Sequence, residues 1–116
     1  MTNNRVRRET ENMVRIVWEF IARADKIQEF EDYYANSGPW TAMFRRNSGY
    51  HGTVLLRDMQ NPRRYLTIDR WENAALHRAM RQRCKAELEE LDSAGEAFTE
   101  SERHTGVFEE AALRAR

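Results

Sequence analysis

Arg64-Tyr65-Leu66-Thr67-Ile68-Asp69-Arg70-Trp71-Glu72-Asn73 is the stretch on which the fold turns. Its first eight residues alternate Tyr65, Thr67, Asp69 and Trp71 against Leu66, Ile68 and the arginines at 64 and 70, the period of a β-strand. Asn73 is a suitable N-cap for a long helix in which Leu76, Met80, Cys84, Leu88 and Leu91 step along one stripe, with Gly95 as its terminator. Just upstream, Thr53 to Asp58 reads as a strand and Met59 to Arg63, with Asn61-Pro62, as a turn. The two strands therefore form a hairpin that feeds a helix.

The rest of the chain fits around this hairpin. From Met13 to Ala22, Val14, Ile16, Trp18 and Phe20 share one strand face, and Met13, Arg15, Val17, Glu19 and Ile21 give a mixed second face. Such a strand is expected to be central, with both faces covered. Asp25 and Gln28 are placed as a capping box for a helix through Ile27, Phe30 and Tyr34, which Asn36-Ser37-Gly38-Pro39 stops. Pro39 can open a second short helix carrying Trp40, Met43 and Phe44 on one face. A last strand fits Glu102 to Glu109, with His104, Gly106 and Phe108 on one side.

Strand, helix, short helix, strand, strand, helix, strand is the order of an α+β, ferredoxin-like split βαβ sandwich. Helices cover one sheet face in this fold. The other face, whether the Tyr65/Thr67/Asp69/Trp71 set or its opposite, is too apolar for water, so sheet-to-sheet pairing into a homodimer is expected. Residues 1–12 lack any period and read as a flexible N-terminal arm, and residues 13–110 make the domain. From Glu110 on the chain carries no pattern and is expected to fray, leaving 111–116 as a tail.

Composition removes several function classes. The 116 residues carry 19 basic and 19 acidic side chains, which argues against nucleic-acid binding through bulk positive charge. Mean hydropathy is −0.88, and no run approaches the roughly 18 apolar residues of a membrane span. The polar first twelve residues do not read as a secretory signal, and one cysteine cannot form an internal disulfide, so the expected compartment is the cytoplasm. The zero net charge is a cancellation, with ten basic against three acidic residues between 45 and 85, and one against nine between 86 and 110. Glu87, Glu89, Glu90 and Asp92 crowd a helix C-terminus, where the macrodipole favours cations. They are expected to meet basic groups elsewhere, in the partner copy or from Arg5, Arg7 and Arg8.

Few residues are placed for chemistry. His51, His77 and His104 are far apart and no Cys or His pair has ligand spacing, so no metal site is expected. Gly49-Tyr50-His51-Gly52 precedes a strand rather than a helix and is no phosphate loop. It faintly echoes the aromatic strand of RNA-recognition domains, but on the wrong strand and followed by Thr53 and Leu55 rather than a stacking platform. Cys84 lies in the apolar stripe and reads as a small buried hydrophobe.

Three segments, Ile16-Val17-Trp18-Glu19-Phe20, Gly49-Tyr50-His51-Gly52-Thr53 and Tyr65 to Asn73, in that order and spacing, resemble the antibiotic biosynthesis monooxygenase (ABM) domain. The resemblance runs from about Met13 to Glu109. It implies a dimeric α+β barrel and, among the family's activities, cofactor-free oxygenation of polyketide hydroquinones and anthrones or haem degradation. The tryptophan that lines the pocket of the quinone-forming enzymes corresponds to Trp71. Their asparagine four residues earlier is Thr67 here, and their tyrosine six residues later is His77. The haem-degrading branch uses an asparagine in strand one and a histidine further along the last helix. Here those regions read Trp18-Glu19-Phe20 and Arg81 to Arg83, so haem is disfavoured and no cofactor is expected.

His77 stands in the first turn of its helix, beside the apolar stripe, where it can face the gap between helix and sheet. A cofactor-free oxygenase must deprotonate an electron-rich phenol or anthrone so that the anion reduces oxygen directly, and a histidine, with its reference pKa of about 6.5, suits that role. The expected site is thus His77 as base, Thr67 as polar contact, and Trp71, Trp40 and Phe44 as the wall around a small aromatic substrate. The same residues admit a plainer reading, with His77 half exposed and the tryptophans as core. The expected function is a cofactor-independent monooxygenase of a small aromatic or quinol-like compound. The alternative is a non-catalytic dimeric module of the same fold that binds a small ligand or supports another protein.

Overall fold

The computed structural model describes Thr10 and residues 12–111. Its elements run β1 (Val14–Ala22), α1 (Ile27–Tyr34), α2 (Pro39–Phe44), β2 (Tyr50–Arg57), β3 (Arg64–Trp71), α3 (Ala74–Arg83), α4 (Lys85–Gly95), a 3-10 turn (Glu96–Phe98) and β4 (Thr99–Glu109). The four strands form one antiparallel sheet in the order β2-β3-β1-β4, so the two βαβ halves interleave as the ferredoxin-like topology requires. Among the described residues no helix is long and apolar enough to cross a membrane.

Strand alternation decides which face meets the helices. Val14, Ile16, Phe20 and Ala22 of β1 and Tyr65, Thr67, Asp69 and Trp71 of β3 are all buried beneath them. The open face is therefore the opposite set. Val17 lies across from Ile68, which in turn lies across from Val54, and Leu66 lies across from Leu56. Val54, Leu56 and Phe108 are about half exposed there. Ion pairs bracket this apolar band: Arg64 with Glu19 (2.6 Å) and Asp58 (3.1 Å), Arg103 with Glu19, and Arg70 and Arg15 with Glu110. Those pairs tie Glu110 down, and they hold its carboxyl at a pKa of about 2, so the chain does not fray at that residue as expected.

Local chemistry explains most boundaries. The Asn73 side chain accepts from the Leu76 amide (2.8 Å), and Pro39 occupies the first turn of α2. In the β2–β3 turn, Asp58 accepts from the Gln60 amide and Asn61 from the Arg63 amide. Gly52 sits at φ 113° where the β2–β3 register slips between Tyr50 and Thr53, a bulge conformation that disfavours a side chain. The strand thus begins at Tyr50 rather than Thr53.

Several expectations need correction. Asp25 does not cap α1: the helix begins after Lys26 without a side-chain cap, and Gln28 instead bonds Asp32. The long helix is two helices broken at Cys84, where the thiol and the neighbouring Arg83 guanidinium both turn to Asn47 Oδ1. Where β1 pairs with β4, Val17 faces Gly106 but Trp18 faces His104, so Thr105 is an extra residue. This bulge puts His104 on the helix side while Gly106 and Phe108 stay on the open face. Of the acidic helix end, Glu87 pairs with Arg46 of the same chain. Arg5, Arg7 and Arg8, most of the expected arm, and the tail beyond Ala111 lie outside the described residues.

Candidate functional site

Between the covered face of the sheet and the helices lies a cavity of about 440 Å³. The sheet contributes Ile16, Trp18 and Phe20 from β1, Thr53 from β2, Thr67 and Asp69 from β3, and His104 from β4. The helices contribute Tyr34, Trp40 and Phe44 on one side and His77, Met80 and Leu88 on the other. The volume lies within the range of small-molecule pockets; aromatic and aliphatic side chains form part of the wall, and polar or charged ones, Arg81, Lys85, Glu89, Asp92 and Glu102 among them, form the rest.

The structure brings together four of the five residues expected from sequence, with Trp40, Phe44, Thr67 and His77 all lining this space. Trp71 is the exception. It is fully buried behind the wall, packed edge-on against Phe44 (ring centroids 5.6 Å apart) and 5.6 Å from the His77 ring. Phe44 and His77 come from elements that fold over it, so Trp71 buttresses the cavity instead of facing it. Cys84 is partly buried beside the core, and His51 is exposed, 3.5 Å from Glu72.

The polar groups are unequal. Burial, reinforced by Arg81, His104 and Arg78, lowers the His77 pKa to about 4, so the imidazole is neutral at neutral pH. Asp69 is the group that sequence reasoning passed over. It is 9% exposed, and burial pushes its pKa up to about 6, opposed by a hydrogen bond from Thr53 Oγ1 (2.7 Å). Because the Thr53 hydroxyl donates to Asp69, its oxygen accepts from the Tyr50 hydroxyl (2.5 Å). The signal in the sequence was a carboxylate on the face that also carries Tyr65 and Trp71. His104, exposed on the edge strand, also lines the cavity, with its ring 4.9 Å from Trp18.

Deeper toward α1, Tyr34 OH and Trp40 Nε1 are buried without a hydrogen-bond partner among the described residues. Toward the mouth, Glu102 and Asp92 are pushed up, each first by burial and then by neighbouring carboxylates. Among the described residues no group of His, Cys, Asp and Glu is placed to hold a metal ion. The arrangement offers a chamber with an aromatic inner wall, a carboxyl poised near neutrality and a neutral imidazole. That combination can accept a proton from a bound hydroxyl away from bulk water.

No curated protein sequence matches the chain. Solved structures do. SnoaB, a cofactor-independent oxygenase from Streptomyces nogalater, is 23% identical with a TM-score of 0.68, over 90% of this chain and 96% of that one. A candidate antibiotic biosynthesis monooxygenase from Bordetella bronchiseptica is 26% identical with a TM-score of 0.65, over 90% of this chain and all of that one. A protein from Shewanella oneidensis shares the fold at 18% identity and a TM-score of 0.64, over 86% of this chain and 92% of that one. The family model for antibiotic biosynthesis monooxygenase matches residues 13–109, the whole span from β1 to β4, and the chain therefore belongs to that family.

Proposed function

We propose that this protein is a cofactor-independent monooxygenase acting on a small aromatic or quinol-like compound. The observation that carries the reading is the cavity between sheet and helices in which Trp40, Phe44, Thr67 and His77 converge. In such a reaction the substrate is the only reductant. Removal of a hydroxyl or ring proton leaves an electron-rich anion that gives electrons to O2. A ring CH2 then becomes C=O, one oxygen atom entering the product and the other leaving as water, with four electrons supplied by the substrate. Trp40 and Phe44 hold the flat ring and exclude water, and Thr67 contacts its oxygen. His77 lies in the same space as the candidate acceptor of the ring proton, neutral at neutral pH and made less basic by its burial.

On this reading the protein works as a homodimer closed across the open sheet face, which buries Val54, Leu56 and Phe108. The test is oxygen uptake with a panel of hydroquinones and anthrones, wild type against His77→Ala. One O2 consumed per substrate, falling about 100-fold or more in the variant, is the expected result. An absence of uptake across the panel, alongside measurable binding of the same compounds, would replace the enzyme with a ligand-binding module.

A further inference from the structure

Asp69 has features that a structural carboxylate lacks. It sits in the middle of the sheet on the cavity side, and an ionised carboxylate there offers about four acceptor positions. Among the described residues the Thr53 hydroxyl is the side chain hydrogen-bonded to it, on Oδ1. No arginine, lysine or histidine among them is paired with it, although Arg81, Lys85 and His77 all reach the same cavity. A neutral threonine or asparagine would satisfy Thr53 equally well without placing an ionisable group in a nearly dry space.

The other polar groups in the chamber are suited to different tasks. Asp69 lies opposite Ile16 in the β1–β3 register, whereas Tyr34 packs on Phe20, four residues further along β1. At the usual rise per residue these two ends of the chamber are about 13 Å apart. The Tyr34 hydroxyl and the Trp40 N–H at the far end are buried beneath the wall, out of reach of a bound ligand. The indole N–H can only donate, and neither group is a base near neutral pH. The carboxylates Glu102 and Asp92 lie at the mouth. Away from the mouth the ionisable acceptors are Asp69 and His77, with His104 on the edge strand and the Thr67 hydroxyl beside them.

We infer that Asp69 is the group that receives the hydroxyl of an aromatic ligand in the cavity and takes its proton, with Thr53 and Tyr50 as positioning residues behind it. The ligand O–H bond breaks, the proton passes to the carboxylate, and the electron pair stays on the ring oxygen. The Tyr50-to-Thr53 chain holds Oδ1 and so leaves the second oxygen for the ligand hydroxyl. As a step in oxygenation this rests on the function proposed above; as a seat for a hydroxyl it does not.

The test uses two probes that differ by the exchange of a hydroxyl proton for a methyl group, 1-naphthol and 1-methoxynaphthalene, bound to the full chain at pH 8 and followed by fluorescence. A hydrogen bond to a charged acceptor gives wild type a preference for the naphthol of at least about 10-fold. Asp69→Asn and Asp69→Ala should each lose most of that preference while binding the methyl ether as wild type does, which also shows that the variants are folded. Thr53→Val should fall between. Equal affinity of wild type for the two probes, or a preference that survives in both Asp69 variants, overturns the assignment. Oxygen uptake by the same proteins with the hydroquinone and anthrone panel separates the two ideas. An intact naphthol preference without uptake supports the seat and removes the oxygenase, and uptake without the preference does the reverse.

Discussion

Replacing Asp69 by Asn should stabilise the protein, and by an amount that depends on pH in a defined way. The native carboxyl is held at a pKa of about 6 by burial against an ordinary value of 3.8, so the folded state binds its proton more tightly than the unfolded chain does. For a raised carboxyl the stabilising contribution is complete below about pH 3.8 and is lost as pH rises through 6. Each tenfold gain in proton affinity is worth about 1.4 kcal/mol, and the rise from 3.8 to about 6 therefore makes the loss about 3 kcal/mol. Asparagine has nearly the same shape, can accept the Thr53 hydrogen bond, and never ionises. Asp69→Asn should therefore match wild type at about pH 3.5, exceed it by about 3 kcal/mol above about pH 7, and climb between with a slope of about 1.4 kcal/mol per pH unit. For a domain of this size the gain at pH 8 corresponds to about 10 °C in Tm. Guanidinium and thermal unfolding at pH 3.5, 5, 6.5 and 8, followed by circular dichroism, measure it. A difference that is constant with pH, or a variant less stable than wild type at pH 8, would refute the claim that Asp69 is kept at a cost to stability.

His77 titrates in the opposite sense. Its pKa is lowered to about 4, so its contribution is full above pH 6.5 and lost on acidification, and His77→Asn should gain about 3 kcal/mol over wild type near pH 4 relative to pH 8. Equal pH profiles for the two proteins would show that the imidazole is solvated. Ile68→Glu, placed between Val17 and Val54 on the open face, should reduce the species in analytical ultracentrifugation from a dimer to the 13.8 kDa chain. A wild type that sediments as a monomer defeats that expectation. Gly95→Ala should destabilise by about 1–3 kcal/mol, because its Cβ would come within 2.2 Å of the Tyr34 hydroxyl. Tyr34→Phe in the same chain should recover much of the loss in thermal unfolding, and failure to do so would place the strain elsewhere.

The fold was legible because β3 alternates without interruption and because Asn73 and Pro39 mark helix starts by simple hydrogen-bond chemistry. What escaped were one-residue departures of the backbone. Breaking the helix at Cys84 leaves the Met80–Leu88 stripe in phase, and an extra Thr105 in β4 changes no composition. The site was legible to the extent that it uses aromatic walls and a first-turn histidine. Trp71 was misplaced because alternation fixes its face but not what lies on top of it, namely Phe44 and His77. Asp69 sat in plain view on that same face. Its significance depends on how dry the chamber is, and that follows from three elements closing together.

The bulge at Thr105 also bears on how such a site can be altered. Residues 101–104 and 106–109 of β4 run out of step by one position, and the strand serves the chamber with Glu102 and His104 and the outer surface with Gly106 and Phe108. Loss of a single codon at Thr105 would bring the halves into step. His104 and Gly106 would then be direct neighbours on opposite faces, so the imidazole would stay in the chamber and Phe108 on the outer surface. Thr105 is thus a spare position in the ladder: removing it regularises the edge strand while every lining residue keeps its face. The division of β4 between chamber and outer surface rests on the alternation of His104 and Gly106 and not on the extra residue.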